Sequence, residues 1–330
     1  VTRVSSPRRG RIGAVDLPAL VEQARDGQPL AVARLISLVE NGADSLPALA
    51  RLLEPHAGRA DVLGITGPPG VGKSTTTDAL LRALRQAGRR VGVLAIDPSS
   101  PFSGGALLGD RIRMGEHATD RGVFIRSMAT RGQLGGLAAA VPQALRILDA
   151  AGFDIVIIET VGVGQAELEI AHLADTTLVV LAPGLGDGIQ AAKAGILEIA
   201  DVLVVNKADR DGAHDVARDL RQAQAMRGQL DPAGWAAPIV KTVAARGEGV
   251  DEVLTAIDGH RRWLAGTGTG PRRRQARLTA EVIALALGQL EAGVRELVGT
   301  EEFACRLADV PMGRTDPYAI AAWLRAATTD

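Results

Sequence analysis

Gly67-Pro68-Pro69-Gly70-Val71-Gly72-Lys73-Ser74 fits the pattern G-x-x-x-x-G-K-[ST], a pattern that handles phosphate. Its glycines let backbone N–H groups turn inward onto phosphate oxygens, and the helix that follows adds the positive end of its dipole. In that setting the Lys73 ammonium reaches β- and γ-phosphates, the Ser74 hydroxyl binds Mg²⁺, and Thr75 continues the cradle. A glycine turn capped by serine is the plain alternative. The expected position, after an apolar strand and before a helix, favours the phosphate reading.

A second constellation reads a base. Asn206-Lys207-Ala208-Asp209 ends an apolar run, and N-K-x-D suits guanine. The aspartate accepts from guanine N1–H and the 2-amino group. Adenine would leave that carboxylate unpaired, which is costly. Lys207 lies along the base and Asn206 ties strand ends together. In Val243-Ala244-Ala245 an alanine N–H, that of Ala244, is expected at guanine O6, with Val243 where a serine is usual. Asp97, Asp110, Glu159 and Asp187 follow strands or loops, and each also reads as a helix cap or turn residue. Glu159, with Gly162 three residues on, matches the place where phosphate-loop switches sense the γ-phosphate, so Lys73, Glu159 and Gly162 form the candidate catalytic set.

These residues need a frame. Val/Ile/Leu-rich runs at 62–66, 90–97, 122–127, 153–160, 176–183, 201–209 and 237–245 alternate with helical segments near 73–86, 134–150 and 250–264. That alternation predicts an α/β fold: a mostly parallel central sheet with helices on both faces. In such sheets ligands bind at the carboxyl ends of the strands, where every motif above falls. Residues 1–57 read as an N-terminal helical extension, with Leu30, Ala33, Ile36, Leu38 and Val39 mostly on one face. Residues 58–265 form the nucleotide domain, 266–271 a linker, and 266–330 a helical arm. Leu278, Val282, Leu285, Leu290, Val294 and Leu297 make an apolar stripe there that must be covered by something. The basic run 271–277 reads as a solvated helix start or linker.

The runs GPPGVGKST, DPSSPFSGGALLGDRIRM, ETVGVGQ, PGLGDGIQAAKAGILEIAD and NKAD occur in that order between Ala31 and Val250. In this the chain resembles the MeaB/ArgK family of phosphate-loop GTPases. The resemblance implies a GTP- and GDP-binding hydrolase with Mg²⁺ held by Ser74, Asp97, Asp110 and Glu159. It implies a switch over 183–193 in which Asp187, Gln190 and Lys193 report the nucleotide state. It also implies a homodimer through the C-terminal helices, acting as chaperone to an adenosylcobalamin-dependent acyl-CoA mutase, chiefly methylmalonyl-CoA mutase. An older label of some members, as arginine or ornithine transport kinases, finds no kinase motif here.

Composition narrows the alternatives. The net charge of −1 argues against a nucleic-acid binder. No apolar run approaches the ~20 residues needed to span a bilayer. With one cysteine, Cys305, no disulfide forms within the chain, so a cytoplasmic setting is expected. The first thirteen residues read as a flexible tail or an expression remnant. A nickel-delivering metallochaperone would need clustered Cys and His, but the five histidines, at 56, 117, 172, 214 and 260, are scattered. An ATP-using kinase is opposed by Asp209. Only four of the 37 basic residues are lysines, so Lys73, Lys193 and Lys207 each fall within a motif against the compositional trend.

Overall fold

The computed structural model describes residues 16–97, 117, 119–129, 140–160, 166–184, 198–230 and 234–328. Among the described residues seven strands form one sheet in which every pairing is parallel: β1 (Asp61–Thr66), β2 (Val91–Asp97), β3 (Val123–Ala129), β4 (Ile155–Thr160), β5 (Thr176–Leu181), β6 (Val202–Val205) and β7 (Ile239–Lys241). The order across the sheet is β3-β2-β4-β1-β5-β6-β7. The central strand β1 carries the phosphate loop, and its neighbours β4 and β5 end beside that loop.

Period-two alternation decides what each strand residue covers. Val91 and Val93 join Leu80, Leu81 and Leu84 of α4 (Lys73–Gln86) on one face, while Leu94 and Ile96 point to the other. That second face packs against α5 (Ala140–Ala150) and α6 (Ala166–Leu173). Further along it, α7 (Ala213–Leu230) covers Val179, Leu181, Leu203 and Val205. Burying each such aliphatic side chain contributes about 1.5–3 kcal/mol, so the two-sided burial is what holds these runs as parallel strands.

The N-terminal helices α1 (Leu17–Arg25), α2 (Pro29–Glu40) and α3 (Leu46–Leu53) share one apolar cluster with α5 and the β2–β3 side of the sheet. The buried face of α2 is Ala31, Val32, Leu35, Ile36 and Val39. The expected face is therefore corrected: Leu30 is 85% exposed, because the helix turns it away from the α5 contact. Asp149 of α5 accepts the N–H groups of Gly58, Arg59 and Ala60, pinning the chain as it enters β1.

The expected linker at 266–271 is helical. Helix α8 (Val250–Thr267) and helix α9 (Thr269–Val298) are separated by Gly268 alone, at φ 68°. Pro271 falls in the first turn of α9, where its missing N–H has no helical partner to lose. The basic run is not merely solvated either. Arg273 grips the Asp201 carboxylate with two bonds of 3.0 and 3.1 Å. Arg277 donates to Leu173 O at 2.7 Å and lies 3.4 Å from Asp175. Glu281, 8% exposed, meets Arg146 of α5 at 3.1 Å. Beyond these anchors α9 runs on to α10 (Glu301–Ala308) and α11 (Pro317–Ala327). The expected stripe divides: Leu285, Val294 and Leu297 are half-buried, whereas Leu278, Val282 and Leu290 are exposed along with Ile283, Leu287 and Val298.

Under the start of the arm, His260 of α8 is fully buried between Trp235 and Trp263, its Nδ1 2.9 Å from Thr176 Oγ1. Burial is the larger influence and pushes its pKa below 6.5, against the opposing pull of Asp201 3.2 Å away. Between the folded pKa and 6.5 the unfolded chain therefore binds a proton that the folded chain refuses. The stability this confers is complete above 6.5 and is lost as pH falls through that window. Thermal melts at about pH 7.5 and about pH 5.5 are expected to show a smaller acid-induced drop for His260→Phe than for the wild type. An equal drop in both would assign the loss to other groups.

Candidate functional site

The phosphate loop leaves β1 at Gly67 and enters α4 at Lys73. Two of its glycines are irreplaceable on geometry. Gly67 has φ 139°, and a Cβ there would stand 2.1 Å from Val180 O of β5. Gly72 has φ 97°, and a Cβ there would stand 2.4 Å from Asn206 Nδ2. The loop is thus pressed between β5 and the N-K-x-D segment, which no bulkier residue permits. Lys73 is buried at 6% exposure, and its ammonium donates to Gly67 O at 2.8 Å and Pro68 O at 3.1 Å. Pro69 and Gly70 are exposed, while Ser74 and Thr75 are half-buried at the first turn of α4.

Glu159, near the end of β4 and 4% exposed, comes to the same turn. The Ser74 hydroxyl donates to its Oε1 at 2.6 Å, and the Thr77 hydroxyl donates to its Oε2 at 2.7 Å. Ser74 and Glu159 are therefore brought together. Thr77 was not singled out by the sequence. Its one signal was its place three residues after Ser74, on the same helical face. Asp97 ends β2, two strands from β1, but its side chain lies outside the described residues. Asp110, Gly162, Asp187, Gln190 and Lys193 also lie outside them.

Asn206 joins three segments. Its Nδ2 donates to Val71 O at 2.9 Å, and its Oδ1 accepts from Ala244 N–H at 3.1 Å and Thr242 Oγ1 at 3.2 Å. The Ala244 amide, expected at guanine O6, is thus given to Asn206, and the next residue, Ala245, is exposed. Lys207 has φ 56°, a left-handed conformation that costs a non-glycine residue about 1–2 kcal/mol. Its ammonium donates to Gly70 O at 2.6 Å, so the strained residue bridges to the phosphate loop. The side chain of Asp209 is 42% exposed and lies 3.5 Å from the Arg246 guanidinium. Arg246 itself is held by Glu248 at 2.7 Å, and that hydrogen bond is the first cause of its raised pKa. Val243 pairs back to Glu248 and closes this loop.

The geometry suits a nucleotide. A helix N-terminus and a buried lysine meet at one end, and a half-exposed carboxylate stands at the other, with Asn206 between them. A cavity of about 540 Å³ lies at the opposite ends of β5 and β6, beside Trp235, Asp201 and Arg277, and takes no part in this arrangement. Gly72→Ala is expected to weaken GTP binding at least tenfold, roughly the 1–3 kcal/mol that such backbone strain costs. Fluorescence titration with a labelled nucleotide checks this, and an unchanged affinity would mean that the loop can move off Asn206.

The family described as "Methylmalonyl Co-A mutase-associated GTPase MeaB" matches residues 32–297. A protein of Pyrococcus abyssi named as a GTPase is 46% identical over 303 residues, covering 92% of this chain and 94% of that protein. The methylmalonic aciduria type A homolog of Mus musculus, named as mitochondrial, is 36% identical over 216 residues, 64% of this chain and 52% of that protein. A solved structure titled as a LAO/AO transport system kinase superposes with a TM-score of 0.63 at 27% identity, covering 97% of this chain and 99% of that one.

Proposed function

Because the chain belongs to the MeaB family of GTPases, and is thus a GTP-binding and GTP-hydrolysing protein, we propose that its cycle serves as a chaperone's clock for an adenosylcobalamin-dependent acyl-CoA mutase. The observation that carries this reading is the family match across residues 32–297, which takes in the whole sheet, both nucleotide motifs and most of α9. The name of the mouse relative points the same way, toward methylmalonyl-CoA mutase as partner.

At the site, residues 67–75 wrap the phosphates, and Lys73 places its charge on the β- and γ-oxygens. Asn206, Lys207 and Asp209 take the guanine, with Val243, Ala244 and Ala245 closing over its edge. Asp209 gives the specificity, since it accepts two donors that adenine lacks. Arg246 shares that carboxylate until the base arrives. The Ser74 hydroxyl and the Glu159 carboxylate are hard oxygen donors 2.6 Å apart at the loop, a donor set that suits Mg²⁺. Ser74 and Glu159, with Asp97 and Asp110, would hold the ion. When bound there, Mg²⁺ would supply charge neutralisation on the phosphates. Glu159 and Gly162 sense the γ-phosphate, and Asp187, Gln190 and Lys193 pass its state to the partner.

The same reading makes the protein a homodimer through its helical arm. Support comes from Ile283, Leu287 and Leu290, 54%, 60% and 43% exposed and spaced four and three residues apart on α9. Apolar residues in such a row call for a covering surface. Ile283→Glu with Leu287→Glu is expected to yield a monomer by light scattering that still binds GTP. A dimer that persists would put the interface elsewhere.

The chaperone reading is tested by measuring hydrolysis with and without purified methylmalonyl-CoA mutase, for the wild type and for Lys193→Ala. The mutase is expected to stimulate the wild type. The variant is expected to keep its GTP affinity and to lose the stimulation, because a switch residue supplies its charge only when a partner holds the loop. No stimulation of the wild type would remove this mutase as the partner. A lowered basal rate with stimulation intact would place Lys193 in the intrinsic reaction instead.

A further inference from the structure

The second hydroxyl on Glu159 has no part in the motifs. A threonine inside a helix usually turns its hydroxyl back onto the carbonyl four residues earlier. Thr76 does so, donating to Gly72 O at 3.0 Å. Thr77, next to it, does not. It donates across to Glu159 Oε2 at 2.7 Å, a contact between residues 82 apart in sequence. Thr77 is 0% exposed and Glu159 4%, so this donor meets a carboxylate with little access to water. Each donor lost to a buried carboxylate is costly.

Ser74 and Thr77 lie one turn apart on α4, so their hydroxyls take one oxygen each of the same carboxylate. Ser74 has a second task, since its hydroxyl oxygen is the one that the phosphate-loop pattern commits to Mg²⁺. Thr77 has no such task and is seated too deep to meet the nucleotide. We propose that Thr77 is a positioning residue for the Glu159 carboxylate, holding it at the mouth of the phosphate loop when Ser74 turns its oxygen to the metal. This rests on the reading of Glu159 as part of the magnesium site. Without Thr77 the departure of Ser74 would cost Glu159 both hydroxyl donors, and the carboxylate would meet the ion less well placed. The GTPase would then need more Mg²⁺ for the same nucleotide affinity.

The whole chain serves for the test, as wild type, Thr77→Val, Thr77→Ser and Glu159→Gln. Binding of a fluorescent GDP analogue is measured in chelator and then across a Mg²⁺ titration, with kcat and the melting temperature alongside. Valine keeps the shape of threonine without the hydroxyl, and serine keeps the hydroxyl without the methyl. For Thr77→Val the metal-free affinity is expected to stay within about twofold of the wild type, while the half-saturating Mg²⁺ rises roughly tenfold and kcat falls, in line with one lost hydrogen bond to a charged group. Thr77→Ser is expected to return the Mg²⁺ requirement to within about threefold of the wild type. Should Thr77→Val fail to fold, Thr77→Ala, which also removes the hydroxyl, carries the same expectation. A wild-type Mg²⁺ requirement in the hydroxyl-free variant, with Glu159→Gln impaired, overturns the role of Thr77 alone. Serine and valine variants impaired alike would show that keeping the hydroxyl does not keep the site, which would assign the effect to disturbed packing around residue 77 and overturn the role of its hydrogen bond. An unchanged Mg²⁺ requirement in Glu159→Gln removes the magnesium reading beneath the proposal, and the proposal with it.

Discussion

The nucleotide end of this molecule depends on the side chain of Asn206. One amide group joins the phosphate loop after β1, the end of β6 and the turn after β7 through Val71 O, Thr242 Oγ1 and Ala244 N–H. Asn206 is 3% exposed, so these bonds form where water does not compete for them. Gly72 lies so close above it that a single added carbon has no room. The phosphate loop and the N-K-x-D segment are therefore tied into one unit, to which Lys207 adds its own bond to Gly70 O.

Parallel topology makes that junction possible. Every strand delivers its carboxyl end to one edge, so residues from β1, β4, β6 and β7 meet although they come from places far apart in the chain. The helices on both faces bury the strands and leave that edge open. At the opposite edge the design reverses: Asp175 and Asp201, which immediately precede β5 and β6, receive arginines from α9. The nucleotide edge holds charges ready for a ligand, whereas the far edge uses charges to fasten the arm.

Much of this was legible in the sequence because it is local. The phosphate pattern and N-K-x-D each fix a turn within a few residues, and aliphatic runs between helical segments announce a parallel sheet. What was not legible is long-range. Nothing near Thr77 says that its hydroxyl will meet Glu159 rather than a helical carbonyl. Nothing near Arg273 names Asp201. The linker expected at 266–271 failed for a different reason. Glycine and threonine there suggest irregular backbone, but one residue in the left-handed conformation ends a helix, and the next helix tolerates glycine and proline in its first turn. The face of α2 was misjudged at Leu30 alone of the five residues named, because tertiary packing, not spacing alone, chose which side was covered.

The joint at Gly268 has a mechanical corollary. Helix α9 is gripped through Arg273, Arg277 and Glu281, and its remaining 17 residues, to Val298, extend past the last of these grips. At 1.5 Å per residue that free length is about 25 Å. A tilt of about 10° at the anchored root therefore carries the tip through ~4 Å, on the order of one helical turn's pitch. Asp201 immediately precedes β6, and Asn206 and Lys207 immediately follow it, so one four-residue strand separates the root of the arm from the N-K-x-D segment.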